Sequence, residues 1–198
     1  GWASAMQQAT VQLGKLGVQS IVNSMGVFVS AAFAAVNRID DFAYIPQQNI
    51  AHAMTALMAQ NKGAKKTNRI KAAFLCGIKI ELIYGIFIFL LCFFLAHPLM
   101  QLFSSDPVVC KHGVTYLKLI SLMYLFPAVT NGVQGYFRGI GDLKITLISS
   151  FVNMSVRVIF AAILVFHFSL QIEALPFSYL AGWIGMLVAE IPLLLKKF

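Results

Sequence analysis

The chain has 198 residues, of which 59% are apolar and only 11% charged, and its mean hydropathy is +0.80. A soluble domain is about 45–50% apolar and about 25% charged, so a water-soluble fold of this length has no interior large enough for the excess, and that excess must face lipid. The formal charge of +8 does not point to nucleic acid, because the Lys and Arg residues gather between apolar runs instead of lining one face. Cys76, Cys92 and Cys110 are too few, too scattered and too odd in number for a disulfide framework or a metal site, and read as small apolar fillers. The opening Gly1-Trp2, with no initiator Met and no charged leader, leads us to expect a piece of a longer protein.

A helix needs about 20 mostly apolar residues to cross about 30 Å of hydrocarbon. Six stretches meet that requirement, at about 5–27, 34–60, 72–96, 113–137, 145–168 and 175–195, which predicts an all-α polytopic bundle of six transmembrane helices over residues 1–198. In the first, Gln8, Gln12, Lys15, Gln19 and Asn23 recur at spacings of three and four, one stripe of the helix at about 100° per residue. The stripe either lines a cavity or bonds helix to helix, and Lys15 can snorkel to the near surface. In the second, Asp41, Gln48 and His52 fall on one face, with Pro46 between them permitting a bend. His52 can titrate near neutral pH and carry a proton, or serve as a hydrogen-bonded structural residue. Asp41 is a candidate for ion coupling or for pairing with Arg38.

The third stretch is uncharged from Leu82 to Ala96, while Lys79 and Glu81 can each reach back toward the basic loop before it. The fourth carries Tyr124, Asn131 and Arg138 at sevens, Gln134 beside them and Pro127 mid-helix, a bent helix with a polar face. The fifth holds Asn153 and Arg157; an Arg at that depth costs about 2.5–3.5 kcal/mol and must find a partner or water. Lys62, Lys65, Lys66, Arg69 and Lys71 lie in one loop, Arg138 and Lys144 in another, and Lys196-Lys197 end the chain, all on one side of a six-span fold. Such loops stay cytoplasmic, so both termini are expected inside the plasma (inner) membrane. No nucleophile elbow, zinc-protease pair, phosphate loop or CxxC is present, and Arg138-Gly-Ile-Gly-Asp142 reads as a tight turn and not as a dinucleotide fingerprint. Neither an enzyme nor a cofactor is expected.

Several segments then carry a family likeness. Asn23-Ser-Met-Gly26, Ala31-Ala-Phe-Ala34, Arg38-Ile-Asp40 with Pro46, Ala59-Gln-Asn-Lys-Gly-Ala64 followed by Arg69-Ile70, and Gly132-Val-Gln-Gly-Tyr-Phe-Arg-Gly-Ile-Gly-Asp142 occur in an order that resembles the second half of a multidrug and toxic compound extrusion transporter. The resemblance implies twelve helices in two bundles, of which this chain would be the C-terminal one and a matching N-terminal six-helix bundle the partner. It implies export of amphipathic or cationic drugs in exchange for sodium ions or protons, by alternating access, with no nucleic acid involved. A cavity would draw on Gln8, Gln12, Gln19, Asn23, Gln48, His52, Tyr124, Asn131 and Gln134, with Asp41 as a coupling candidate. Many relatives carry an acid in the first and fourth helices of this half; here Gly1–Ile39 and Gly113–Gly141 hold none, so the partner bundle is expected to supply the coupling carboxylate. The alternative within the superfamily is a lipid-linked oligosaccharide flippase, which would need more cavity cations than Lys15, Arg38 and Arg157.

Overall fold

The computed structural model describes residues 2–197, so the first and last residues of the expected bundle lie outside the described residues. The helices are α1 (Trp2–Ser24), α2 (Val27–Gly63), α3 (Thr67–Phe94), α4 (Ala96–Gln101), α5 (Pro107–Ser121), α6 (Leu125–Gly139), α7 (Leu143–Ala162) and α8 (Ala174–Leu195), with no strand among the described residues. A wider turn, Ile163–His167, prolongs α7. Three helices, Thr67–Phe94, Leu143–His167 and Ala174–Leu195, are long and apolar enough to span a bilayer, and α5 with α6 forms a fourth if that bent pair is one span. α1 and α2 fall below that apolar threshold because of their polar stripes, as the amides read from the sequence require.

The longest helix, α2, organises the interior. Val29, Ala32, Val36, Ile39, Asp40, Ala43, Gln47, Ala51, Met54 and Met58 recur every three or four residues and are all buried. That row packs against α3, α5 and α6, while α7 pairs along its length with both α1 and α8. Gly14 and Gly17 let α1 close on Met154 and Val158 of α7. α2 spans 37 residues, or about 54 Å at 1.5 Å per residue, well beyond a bilayer core. Pro46 cannot donate to the Phe42 carbonyl one turn back, and the Tyr84 hydroxyl of α3 supplies that bond at 2.9 Å, so the helix continues through the proline.

The stretch expected as one helix at about 113–137 is instead two, α5 and α6, bent by 52°. Two tight turns, Met123 N–H to the Ile120 carbonyl and Tyr124 N–H to the Ser121 carbonyl, end α5. Pro127 then falls in the first turn of α6, where its missing N–H costs nothing. Tyr124 stays in register with α6, its carbonyl 3.4 Å from the Ala128 N–H, and is fully buried where Asn131 is half-buried.

Both turns at the basic end close in the same way. Asp142 N–H reaches the Phe137 carbonyl at 2.8 Å and Gly141 N–H the Arg138 carbonyl at 3.0 Å, with Gly141 at φ +79°. Lys66 and Lys65 repeat the pattern onto Asn61 and Lys62. The Lys62 ammonium donates to the Ile140 carbonyl and Lys197 pairs with Asp142. The three basic segments thus meet at one end of the bundle, called here the terminal end; the opposite end is the far end.

Candidate functional site

The polar side chains fall into two buried clusters and one exposed band. The far-half cluster centres on Asp40, whose neighbours within the apolar row face α5 and α6. Asp40 accepts a hydrogen bond from the Tyr124 hydroxyl. Around it Tyr44 meets Tyr124 edge-on at 6.0 Å and Trp183 at 6.4 Å, and Tyr179 meets Trp183 at 5.9 Å. Arg157 of α7 lies in the same aromatic box, its guanidinium 3.9 Å from the Tyr179 ring centre and 5.7 Å from that of Trp183. These π faces are the partner that an Arg at this depth requires. Gln47 also enters this region, its amide 3.5 Å from the Tyr124 carbonyl at the helix break.

The terminal-half cluster joins four helices. Ser149 of α7 donates to Glu190 Oε1 at 2.6 Å, and the Gln134 amide nitrogen of α6 lies 3.2 Å from Glu190 Oε1, Ser149 Oγ and Ser150 Oγ alike. Gln7 of α1 closes the network, donating to Gln134 Oε1 at 3.0 Å and to Ser150 Oγ at 2.8 Å. Glu190 is wholly buried, and its second oxygen has no partner.

The residues expected to line a cavity are not gathered into one wall. Tyr124 and Gln134 are inside the bundle, one in each cluster, and Asn131 is half-buried. Gln8, Gln12, Asn23, Gln48 and His52 are exposed, and half-buried Gln19 donates to Asn23 at 2.8 Å. Asp41, expected to couple ions, is exposed beside the exposed Arg38, whereas Asp40 is the buried acid. Glu81 turns inward and is fully buried, not directed to the basic loop, and both of its oxygens lack partners. Asp40 and Glu190 are not among the site residues expected from the sequence, and Glu81 is expected there only to reach toward the basic loop. The available signal was an isolated acid in an apolar span, the rule that marks intramembrane charge as functional. An open hollow at the far end, lined by His97, Gln101, Ser104, Cys110 and Thr115, lies apart from both clusters.

An all-helical membrane bundle with buried acids and amides bridging its helices is the build of a polytopic transport protein, not that of a soluble enzyme. Residues 3–163 match the family model described as MatE, and the chain belongs to that family, whose members are transporters and not enzymes. It is 23% identical over 192 residues to a probable multidrug resistance protein NorM of Thermotoga maritima, covering 96% of this chain and 40% of that protein. It is 26% identical over 186 residues to a probable multidrug resistance protein YoeA of Bacillus subtilis, covering 93% of this chain and 39% of that one. A crystal structure of a MATE protein in complex with MaL6 superposes with a TM-score of 0.92 at 19% identity, covering all of this chain and 45% of the other, a likeness of fold. The chain spans about two-fifths of the length of the curated relatives it matches.

Proposed function

We propose that the chain forms the C-terminal six-helix half of a secondary active multidrug exporter, which moves organic cations and amphipathic drugs outward in exchange for sodium ions or protons. The observation that carries this reading is the exposed polar band of α1 and α2: Gln8, Gln12, Asn23, Asp41, Gln48 and His52. Amides and a carboxylate cannot remain against hydrocarbon, so this band needs water or a second protein surface. A matching N-terminal bundle, with a cavity between the two, supplies both. Drugs would bind there through amide and aromatic groups, while rocking of one bundle against the other exposes the cavity to each side in turn. The basic terminal end would be cytoplasmic in the cell membrane. The partner bundle would supply the main coupling carboxylate, since the acid available to the exposed band here is Asp41 alone.

The test uses the complete protein encoded by the gene, reconstituted in liposomes with an ethidium-like dye under an imposed sodium or proton gradient. Dye movement driven by either gradient is expected, and Gln12→Leu should weaken it. Folded protein that moves no dye under either gradient would sink the exporter reading. Movement of a labelled lipid-linked oligosaccharide in the same vesicles would then favour the flippase alternative.

A further inference from the structure

The terminal-half cluster has a chemistry that packing alone does not account for. Glu190 sits in an apolar helix, wholly buried, with Oε1 saturated by Ser149 and Gln134 and Oε2 bare. An ionised carboxylate taken out of water costs several kcal/mol unless paired and fully hydrogen-bonded, and a bare oxygen leaves that cost uncompensated. A neighbouring imbalance points to the same place. The Gln134 amide nitrogen has two N–H groups but three oxygens at 3.2 Å: Glu190 Oε1, Ser149 Oγ and Ser150 Oγ. A donor held among more acceptors than it can serve occupies a position suited to a cation. The amide of Gln134 can also turn end for end about its last torsion. Turned, it adds its own oxygen to the two hydroxyls and the carboxylate, giving an all-oxygen cage of the kind that hard cations prefer.

We propose that Glu190, Gln134, Ser149 and Ser150 form a binding site for a small monovalent cation, a proton or a sodium ion, at the Glu190 carboxylate. The charged group that faces the site is Arg138 of α6, one turn beyond Gln134 and electrostatically coupled to Glu190, its Nε also buried without a partner. Among the described residues, α7 contributes Ser149, Ser150 and Thr146, and α1 contributes Gln7, none of them titratable there; Asp142 and Lys197 pair with each other nearer the chain end. Arg138 is therefore the resident competitor, its positive charge opposing that of an added cation. Occupancy is also felt by α1. When the Gln134 amide turns, Gln7 must turn its own amide to keep the contact, and Ser150, which now accepts from Gln7, must donate to it instead. The site thereby ties a cation to the seating of the helix that carries the exposed polar stripe. The role assigned to that tie rests on the exporter reading, whereas binding itself is measurable without transport.

The experiment compares the complete protein with its Glu190→Gln variant in detergent, which keeps an acceptor for the Ser149 hydroxyl. Melting temperature is followed as sodium chloride replaces choline chloride at constant ionic strength, and separately as pH falls at zero sodium, with proton release on sodium addition read by an indicator dye. A sodium-dependent rise that vanishes in Glu190→Gln identifies sodium; a pH-dependent shift that vanishes, with no sodium effect, identifies the proton. Asp40 and Glu81 are present in both proteins, so the difference isolates Glu190. Arg138→Gln should tighten the apparent affinity, and Ser150→Ala should weaken it about tenfold, the lower end of losses seen around bound metals. If Glu190→Gln does not fold, the Ser150→Ala and Arg138→Gln shifts decide, and absence of both overturns the proposal. Identical sodium and pH responses in wild type and Glu190→Gln, or no response in the wild type, overturn it as well. Vesicles that fail to export dye while the cation response persists would remove the exporter reading and leave the site standing.

Discussion

Gly135 of α6 faces the backbone of α2 at its closest approach. A Cβ there would lie 2.9 Å from the Ala51 carbonyl oxygen, 3.4 Å from Ala51 Cα and 3.5 Å from the carbonyl carbon. Backbone atoms of a helix cannot swing aside as a methionine tip can, so in Gly135→Ala the two helices must part by about 0.5 Å to regain ordinary contact. The Thr55 hydroxyl, whose one proton is shared between the Ala51 carbonyl at 2.9 Å and the Gly135 carbonyl at 3.1 Å, would then lose its share across the helices. Overpacking costs about 1–3 kcal/mol and the lost bond about 1 kcal/mol, so Gly135→Ala should destabilise by about 2–4 kcal/mol. In membranes, close packing and interhelical bonds are the main attractions between helices, so no larger hydrophobic term hides the loss. Equilibrium unfolding of the complete protein in mixed SDS and maltoside micelles measures it. Gly63→Ala is the control: nothing lies within 4 Å of a Cβ at that exposed helix end, and its stability should match or slightly exceed wild type. A Gly135→Ala protein as stable as Gly63→Ala would refute the reasoning.

Tyr124→Phe removes the hydroxyl that serves Asp40 and should cost about 1–3 kcal/mol, the price of a buried acceptor left unserved. Adding Asp40→Asn in the same protein should cost less than the two single changes together by at least about 0.5 kcal/mol, and strict additivity would show that the two groups do not interact. At the basic end, Gly141 and Lys65 hold the same left-handed position at φ +79° and +56°. Gly141→Ala should lose about 1 kcal/mol and Lys65→Gly should gain a comparable amount, read in the same unfolding assay; equal effects of either sign would count against the backbone argument.

The spans now seen as Thr67–Phe94, Leu143–His167 and Ala174–Leu195 were legible because spanning a bilayer imposes a length that few other constraints mimic. The break between α5 and α6 was not, because Pro127 in an apolar run is compatible with a continuous kinked helix, and the turns at residues 121–124 use only backbone groups. Adjacent residues on a helix differ by about 100°, and that angle separates the buried acid from the exposed one. Registering α2 on Gln48 and His52 selected Asp41, whereas registering it on Val36, Ala43 and Gln47 selects Asp40, the one that is buried. Glu190 was passed over for another reason. Its partners Gln134 and Ser149 are 56 and 41 residues away, so no local spacing announces the cluster, and only the three-dimensional meeting of α6, α7 and α8 creates it. Periodicity puts the α1 amides on one stripe, but periodicity cannot say what a stripe faces.

Arg157 bears on where an organic cation would be recognised. Aromatic faces and a carboxylate are what such a cation seeks, and the box of Tyr44, Tyr124, Tyr179, Trp183 and Asp40 offers both. Its cation position is already filled, with the Arg157 guanidinium 3.9 Å from the Tyr179 ring centre. A drug entering there would have to displace a buried charge from its aromatic partners, and stranding such a charge is strongly unfavourable. The exposed band of α1 and α2 has no resident cation of that kind; Lys15 and Arg38 are exposed and free to move aside. The chemistry therefore divides by depth. On the proposed exporter reading, large amphipathic cations would bind at the exposed amides, where a partner bundle can close over them, while the buried acids would be left to ions small enough to pass between packed helices.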